Sequence, residues 1–253
     1  MSAALPQSAW AEYAPDISQL ITEDDTPVDN ILTEKQQRLL TEPLYSAWAG
    51  PGADRNFVVL ANVGVFYLAR NPAIVPDVLF SADVEMPEDF SRKENRSYFL
   101  WEFGKPPDIA LEIVSNKIGG EDGEKKERYA RMRVEHYVIY DPLRLLMPEV
   151  LTVYQRRGFA YERATGAFFP AYNLSLTLWE GQFEDSQGEW LRWADAQGNL
   201  IPTGKELALQ ERQRADEERQ RADEERQRAD EERQRADRLA RKLRELGLDP
   251  EQL

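Results

Sequence analysis

Apolar and polar positions change period several times along this chain. Across residues 33–48, Leu39, Leu40 and Leu44 fall on one side of a helical repeat, which predicts a helix ended by Pro51-Gly52. Between Asn56 and Asp83 the pattern shortens to three strand-like runs, 57–60, 63–68 and 74–80, rich in β-branched and aromatic residues. The run 109–114 is apolar enough, apart from Glu112, to predict a strand buried on both faces. Gly119-Gly120 breaks the chain, 121–133 reads as a helix, and 136–140 reads as a strand closed by Asp141-Pro142. Residues 151–154 and 159–161 predict a hairpin around Gly158. Helix, strands, helix, strand in that order describe an α/β domain around a central mixed β-sheet flanked by helices. Residues 1–30, rich in Pro, Asp and Ser, read as an N-terminal arm, which gives the domain the span 31–204.

From Lys205 to Leu253 the chain is a different object. Glu-Arg-Gln-Arg-Ala-Asp-Glu repeats at 211–217, 218–224 and 225–231 and runs on to Asp237. A period of seven suggests a coiled coil, but only Ala215, Ala222, Ala229 and Ala236 recur, one apolar position per heptad where a stable seam takes two. Glu217 with Arg221 and Glu224 with Arg228 are i,i+4 pairs, each supporting a helix by about 0.2–0.5 kcal/mol. The expectation for 205–253 is a long, solvated, charged heptad-repeat helix, about 60 Å long if 205–246 is helical throughout. Such a helix serves as a spacer or as a weak coiled coil.

Charge and composition narrow the chemistry. The 253 residues carry 32 Lys+Arg and 46 Asp+Glu, a net of −14, of which the tail accounts for only −2. With no cysteine there is no disulfide, thiol nucleophile or cysteine-ligated metal, and the single histidine, His136, excludes poly-histidine sites. His136 opens a strand and reads as a packing residue. No apolar run approaches the ~20 residues of a membrane span, and the N-terminus lacks a signal pattern, so a cytoplasmic protein without membrane partners is expected. Any chemistry rests on carboxylates, lysines and bound ions.

Three residues then stand out. Pro76-Asp77 lies inside a strand-like run, Glu112 sits mid-way along the most apolar strand, and Lys125 lies on the following helix, four residues before Tyr129. A carboxylate within a buried strand is costly unless it is paired or coordinates a cation. Two on neighbouring strands make a hard-oxygen site suited to Mg²⁺ or Mn²⁺, with a lysine to stabilise hydroxide or hold a phosphate oxygen. Two plainer readings use the same residues: Asp77 capping a turn after Pro76, and Glu112 with Lys125 as a structural ion pair without metal.

These residues stand in a familiar order. Val75-Pro76-Asp77-Val78, then Pro107-Asp108-Ile109-Ala110-Leu111-Glu112-Ile113-Val114-Ser115, then Gly123-Glu124-Lys125 with Tyr129-Ala130-Arg131, and Val134 to Pro142 form four ordered motifs. Over about residues 30–165 the chain resembles the PD-(D/E)XK nuclease superfamily and, within it, the bacterial restriction endonuclease domain family also called Uma-two. The resemblance implies a restriction-endonuclease-like core and a metal-dependent endonuclease acting on DNA. It implies Asp77 and Glu112 as metal ligands, with the Ile113 carbonyl joining them and Mg²⁺ or Mn²⁺ as cofactor. Val114 stands where the superfamily's lysine would be, which points to Lys125 on the next helix, with Lys117 and Lys126 as rivals. An acidic residue on the first helix often completes such sites, and Glu42 and Glu34 are the candidates here.

The −12 carried by residues 1–204 opposes nonspecific DNA binding. A basic rim of Arg92, Lys93, Arg96, Lys105 and Lys117, extended by Arg128, Arg131 and Arg133, is expected to offset it. Superfamily members often dimerise to cut both strands, and the tail offers a weak aid to a homodimer. The alternative function is an idle nuclease fold that works as an interaction or assembly protein through its helical tail.

Overall fold

The computed structural model describes residues 30–115 and 120–245. The arm read over 1–30 therefore lies, apart from Asn30, outside the described residues, as does Lys117. The chain divides into two units, Met1–Thr203 and Gly204–Leu253.

Helix α1 (Ile31–Ser46) starts at Asn30, whose side chain accepts the Thr33 N–H at 3.0 Å. That bond satisfies one of the amides left open at a helix N-terminus. In chain order follow β1 (Phe57–Ala61), β2 (Val65–Phe66), β3 (Val78–Ala82), β4 (Tyr98–Phe99), the short α2 (Leu100–Phe103) and β5 (Ile109–Ile113). A wide π-type turn, Glu121–Lys125, leads into α3 (Lys126–Met132) and then β6 (His136–Tyr140), β7 (Leu151–Arg157) and β8 (Ala160–Arg163). Last in this unit come β9 (Phe168–Phe169), β10 (Leu174–Phe183) and β11 (Ser186–Asp195).

Six strands form the central sheet in the order β1-β3-β5-β6-β7-β8. It is mixed: β5 and β6 run parallel and every other neighbouring pair is antiparallel. The parallel pair needs a crossover, and the turn and α3 supply it. Side chains alternate between the faces. Val78, Phe80, Ile109, Leu111, Ile113, Val138, Tyr140 and Val153 join Leu40 and Leu44 of α1 and Leu174, Leu191 and Trp193 in one core. Leu79, Ala110, Tyr137, Ile139 and Tyr154 face the other way and pack with Tyr129 and Met132 of α3.

Strands β9, β10 and β11 make a second, antiparallel sheet in the order β11-β10-β9, for which the sequence reading assigns no element. Helix α1 is docked to it by Gln36, fully buried, whose amide gives to the Leu191 carbonyl at 2.7 Å and accepts the Leu191 N–H at 3.0 Å. The side chain thus serves as a strand edge would, leaving neither amide group unpaired. Trp193 Nε1 donates to the Leu40 carbonyl at 2.7 Å on the same side.

Several boundaries differ from the periodicity. The run 63–68 yields only the two-residue β2, and Ile74 makes a single bridge to Val65. Strand β3 begins at Val78, so Asp77 stands one residue before it. The helix read over 121–133 is broken at Gly123 (φ −127°, ψ −109°) and ends in Met132, with Arg133 in the left-handed region as its cap.

In the second unit, α4 (Gly204–Glu245) is one continuous 42-residue helix. Glu217 and Arg221 form the expected i,i+4 pair at 3.5 Å, and Gln220 and Gln227 donate to Glu224 and Glu231. No helix among the described residues is long and apolar enough to cross a membrane.

Candidate active site

Strand parity decides where Glu112 goes. With Ile109, Leu111 and Ile113 turned to the α1 face, Ala110 and Glu112 turn to the α3 face, and Glu112 is only 1% exposed. Its two oxygens are met from one side. Tyr129 donates its hydroxyl to Oε1 at 2.6 Å, and Lys125 Nζ donates to Oε2 at 2.9 Å. Lys125 and Tyr129, four apart across the junction of the wide turn and α3, reach the same carboxylate.

Asp77 comes from the neighbouring strand's entry. The antiparallel register of β3 on β5 opposes Val78 to Leu111, which brings Asp77 alongside the end of β5. Its Oδ2 accepts the Ile113 N–H at 2.7 Å and its Oδ1 accepts Gln37 Nε2 at 3.0 Å. Asn62 donates to Gln37 Oε1 at 3.1 Å, and the Asn62 N–H donates to the Asp77 carbonyl at 3.2 Å. Gln37 is thereby oriented with its amide nitrogen toward the carboxylate.

Burial and charge set the electrostatics. Burial pushes Glu112 up to about 8; the Lys125 charge and the Tyr129 and Lys125 hydrogen bonds pull it down, while Asp77 adds to the rise. Burial works against a charged Lys125, but the Glu112 charge and hydrogen bond, with Glu121 and Asp77, outweigh it and hold the ammonium above its usual range. Tyr129 is held well above the usual phenol value, first by burial and then by the neighbouring Glu112 charge.

The structure therefore brings together Asp77, Glu112, Ile113 and Lys125. Lys126 is directed elsewhere, to Asp122 at 3.1 Å and over the Tyr154 ring at 3.8 Å. From the first helix it is Gln37 that reaches Asp77; Glu34 pairs with Arg38 at 2.6 Å, and Glu42 is exposed. For that helix the sequence names only acids as candidates, although Gln36-Gln37, one residue before Leu39-Leu40, signal buried polar work. It also left Asn62 and Glu121 unremarked. Glu121 opens the wide turn, is buried, and lies with Oε1 3.3 Å from Lys125 Nζ.

The basic rim is largely engaged within the protein. Lys105 pairs with Asp108 at 2.6 Å, Arg92 donates to Glu94 at 2.6 Å, and Arg131 pairs with Glu127 at 3.0 Å. Arg128 donates to the carbonyls of Pro72 and Ala73.

The donor set suits a hard divalent cation. Asp77 is bonded to the N–H of Ile113, the residue that follows Glu112, and Mg²⁺ commonly takes one or two carboxylates while keeping water and substrate oxygens. Among the described residues no three His, Cys, Asp or Glu side chains gather into a group that would hold a metal ion. A metal held here would thus have two carboxylates, with backbone, water or substrate completing its ligands.

Comparison with curated proteins finds no match, and comparison with solved structures finds none. A family model does match, over residues 12–177, well over half the chain: this protein belongs to the Uma2 family, described as "Putative restriction endonuclease".

Proposed function

We propose that the protein is a metal-dependent endonuclease that hydrolyses DNA phosphodiester bonds. The observation that carries this reading is Asp77, bonded to the Ile113 N–H and set beside Glu112 by the β3–β5 register, with the Lys125 ammonium 2.9 Å from Glu112, in a member of a restriction endonuclease family. Asp77 and Glu112 would hold Mg²⁺ or Mn²⁺, with the Ile113 carbonyl as a further ligand. The bound cation supplies polarisation of the scissile phosphate and a lower pKa for the attacking water.

The chain's own residues do the rest. Gln37 and the Ile113 amide hold the Asp77 side chain in place, and Tyr129 fixes the Glu112 carboxylate. Lys125 donates hydrogen bonds to the negative charge that develops as the water oxygen bonds to phosphorus. The attacking water gives up its proton to solvent as it bonds to phosphorus, and as the phosphorus–oxygen bond to the leaving strand breaks, solvent returns a proton to that oxygen. We assign this chemistry to residues 31–204 and a spacer or weak dimerising role to the tail.

A second reading is favoured by the pairing of Glu112 itself, both of whose oxygens are already taken by Tyr129 and Lys125. It makes the pair structural and the protein an interaction module acting through α4. One experiment separates the two. Plasmid cleavage in Mn²⁺ or Mg²⁺ is measured for wild type, Asp77→Ala, Glu112→Gln and Lys125→Ala, with Mn²⁺ binding by calorimetry. The nuclease reading expects metal-dependent cleavage that falls by about 10²-fold or more in each variant, with Mn²⁺ binding lost in the two carboxylate variants. A folded wild type that neither binds Mn²⁺ nor cuts leaves the second reading standing.

A further inference from the structure

The wide turn between β5 and α3 carries a buried acid that the reaction sketched above does not use. Glu121 is 5% exposed; its Oε1 lies 3.3 Å from Lys125 Nζ, and its Oε2 is buried with no hydrogen-bond partner. The backbone around it is pinned. Tyr137 donates its hydroxyl to the Glu121 carbonyl at 2.7 Å, and the Gly120 carbonyl accepts the N–H groups of Gly123 at 3.0 Å and Lys125 at 3.1 Å. Glu121 and Lys125 therefore lie on one hydrogen-bonded turn. A buried carboxylate oxygen without a donor is costly and calls for an explanation.

We infer that Glu121 is the positioning residue for Lys125, the carboxylate that keeps the ammonium in place when Glu112 is engaged by the metal. The inference rests on the nuclease reading. In the structure Lys125 divides its donors between Glu112 at 2.9 Å and Glu121 at 3.3 Å. A cation taken up by Asp77 and Glu112 competes with the ammonium for Glu112, and a lysine with no other anchor would swing into solvent. Glu121 supplies that anchor, with Oε2 as a second acceptor already in place, and leaves at least one of the three Nζ–H donors for the attacking oxygen or the phosphate. Among the described residues no three acidic or histidine side chains gather into one group, and the contact Glu121 makes is with Lys125.

The test is a double-mutant cycle on the full chain. Glu121→Gln, and Glu121→Asp as a variant that keeps the charge but shortens the arm, are each made alone and on Lys125→Ala, with folding checked by thermal melts. Each single Glu121 variant is expected to lower Mn²⁺-dependent cleavage about 10–100-fold. On Lys125→Ala the further loss is expected to be under about twofold, since residues that act as a unit are not additive. Mn²⁺ affinity by calorimetry stays within about threefold of wild type, unlike that of Asp77→Ala. Full loss persisting on Lys125→Ala, Mn²⁺ affinity falling as it does in Asp77→Ala, or unchanged cleavage in both Glu121 variants would each overturn the inference while leaving the nuclease reading intact. A wild type that neither binds Mn²⁺ nor cleaves overturns both.

Discussion

Single buried polar residues carry most of the meaning in this protein, and they are satisfied by different means. Gln36 and Gln37 are consecutive, yet one pairs with the Leu191 backbone and the other with Asp77, because adjacent helix positions point about 100° apart. Asp141 has no exposed surface and accepts the N–H groups of Leu145, Leu146 and Met147, all within 2.8 Å, so it is a turn builder and not a site acid. His136 packs edge-on to Phe169 at 4.9 Å, and its Nδ1 is buried without a partner. Burial holds its pKa below the ordinary 6.5, against the opposing pull of Glu135 and Asp108. The unfolded chain thus takes up a proton on this ring at a higher pH than the folded protein does. Stability is complete above the unfolded value and declines as pH falls through 6.5 toward the lower folded value. Denaturant midpoints between pH 7.5 and 5.5 should fall less steeply for His136→Gln than for wild type; equal slopes would assign the acid sensitivity to other groups.

Among the elements, the β10–β11 hairpin and the wide turn before α3 show how backbone conformation places side chains. The hairpin turns at Glu184-Asp185, both with positive φ (45° and 64°), where glycine or asparagine is the usual choice. Glu184 is held there by Arg38 (Nη2–Oε2 2.7 Å) and by Lys35 at 3.2 Å, so α1 stabilises a turn that local preference does not favour. Farther along, a Cβ at Gly181 would run into the Trp179 ring, which also stacks on the buried Arg192 guanidinium at 4.8 Å. Gly181→Ala is therefore expected to displace Trp179 and to lower stability by about 0.5–2 kcal/mol, the worth of a partly desolvated cation–π contact. A shift in tryptophan emission together with a lower denaturant midpoint would register it; a shifted spectrum with an unchanged midpoint would show that the ring yields freely. The other turn begins with Gly120 at φ 73°, a conformation that gives the chain its sharp entry and sets Glu121 and Lys125 beside Glu112.

For the whole molecule, charge and metal uptake are linked. A strongly acidic chain with two neighbouring carboxylates is poorly disposed toward a polyanion until a cation reduces their repulsion. If Asp77 and Glu112 bind Mn²⁺ in the folded state alone, the metal stabilises the protein by mass action, by about 2.7 kcal/mol at one hundred times its Kd. Thermal unfolding of the full chain is expected to shift upward with Mn²⁺, and the shift to vanish in Asp77→Ala. Equal shifts in both proteins would mean that the ion binds elsewhere.

Much of this was legible in the residue order because it is local. The β-branched runs at β1, β5 and β6, the hairpin at Gly158 and the continuous α4 follow from side-chain period and turn chemistry, which act over a few residues. Lys125, in a charged stretch, stood out by its spacing to Tyr129 and by the family resemblance, whereas Asp77 and Glu112 were legible as misfits, charges embedded in apolar text. The β9–β11 sheet was not, although Leu174, Leu176 and Leu178 alternate, because the alternation gives way to Glu180-Gly181 and the turn lacks its usual residues. Nor were the roles of Gln37, Asn62 and Glu121, since no local rule distinguishes a buried amide or acid from an exposed one. Side-chain period and turn chemistry settle α1, α4 and most of the strands as far as β8, and mark Asp77 and Glu112 as charges out of place. Which of those charges meet is decided by packing, because the β3–β5 register and the docking of α1 and α3 bring together site residues up to 40 positions apart, and proximity across such distances is a property of packed faces.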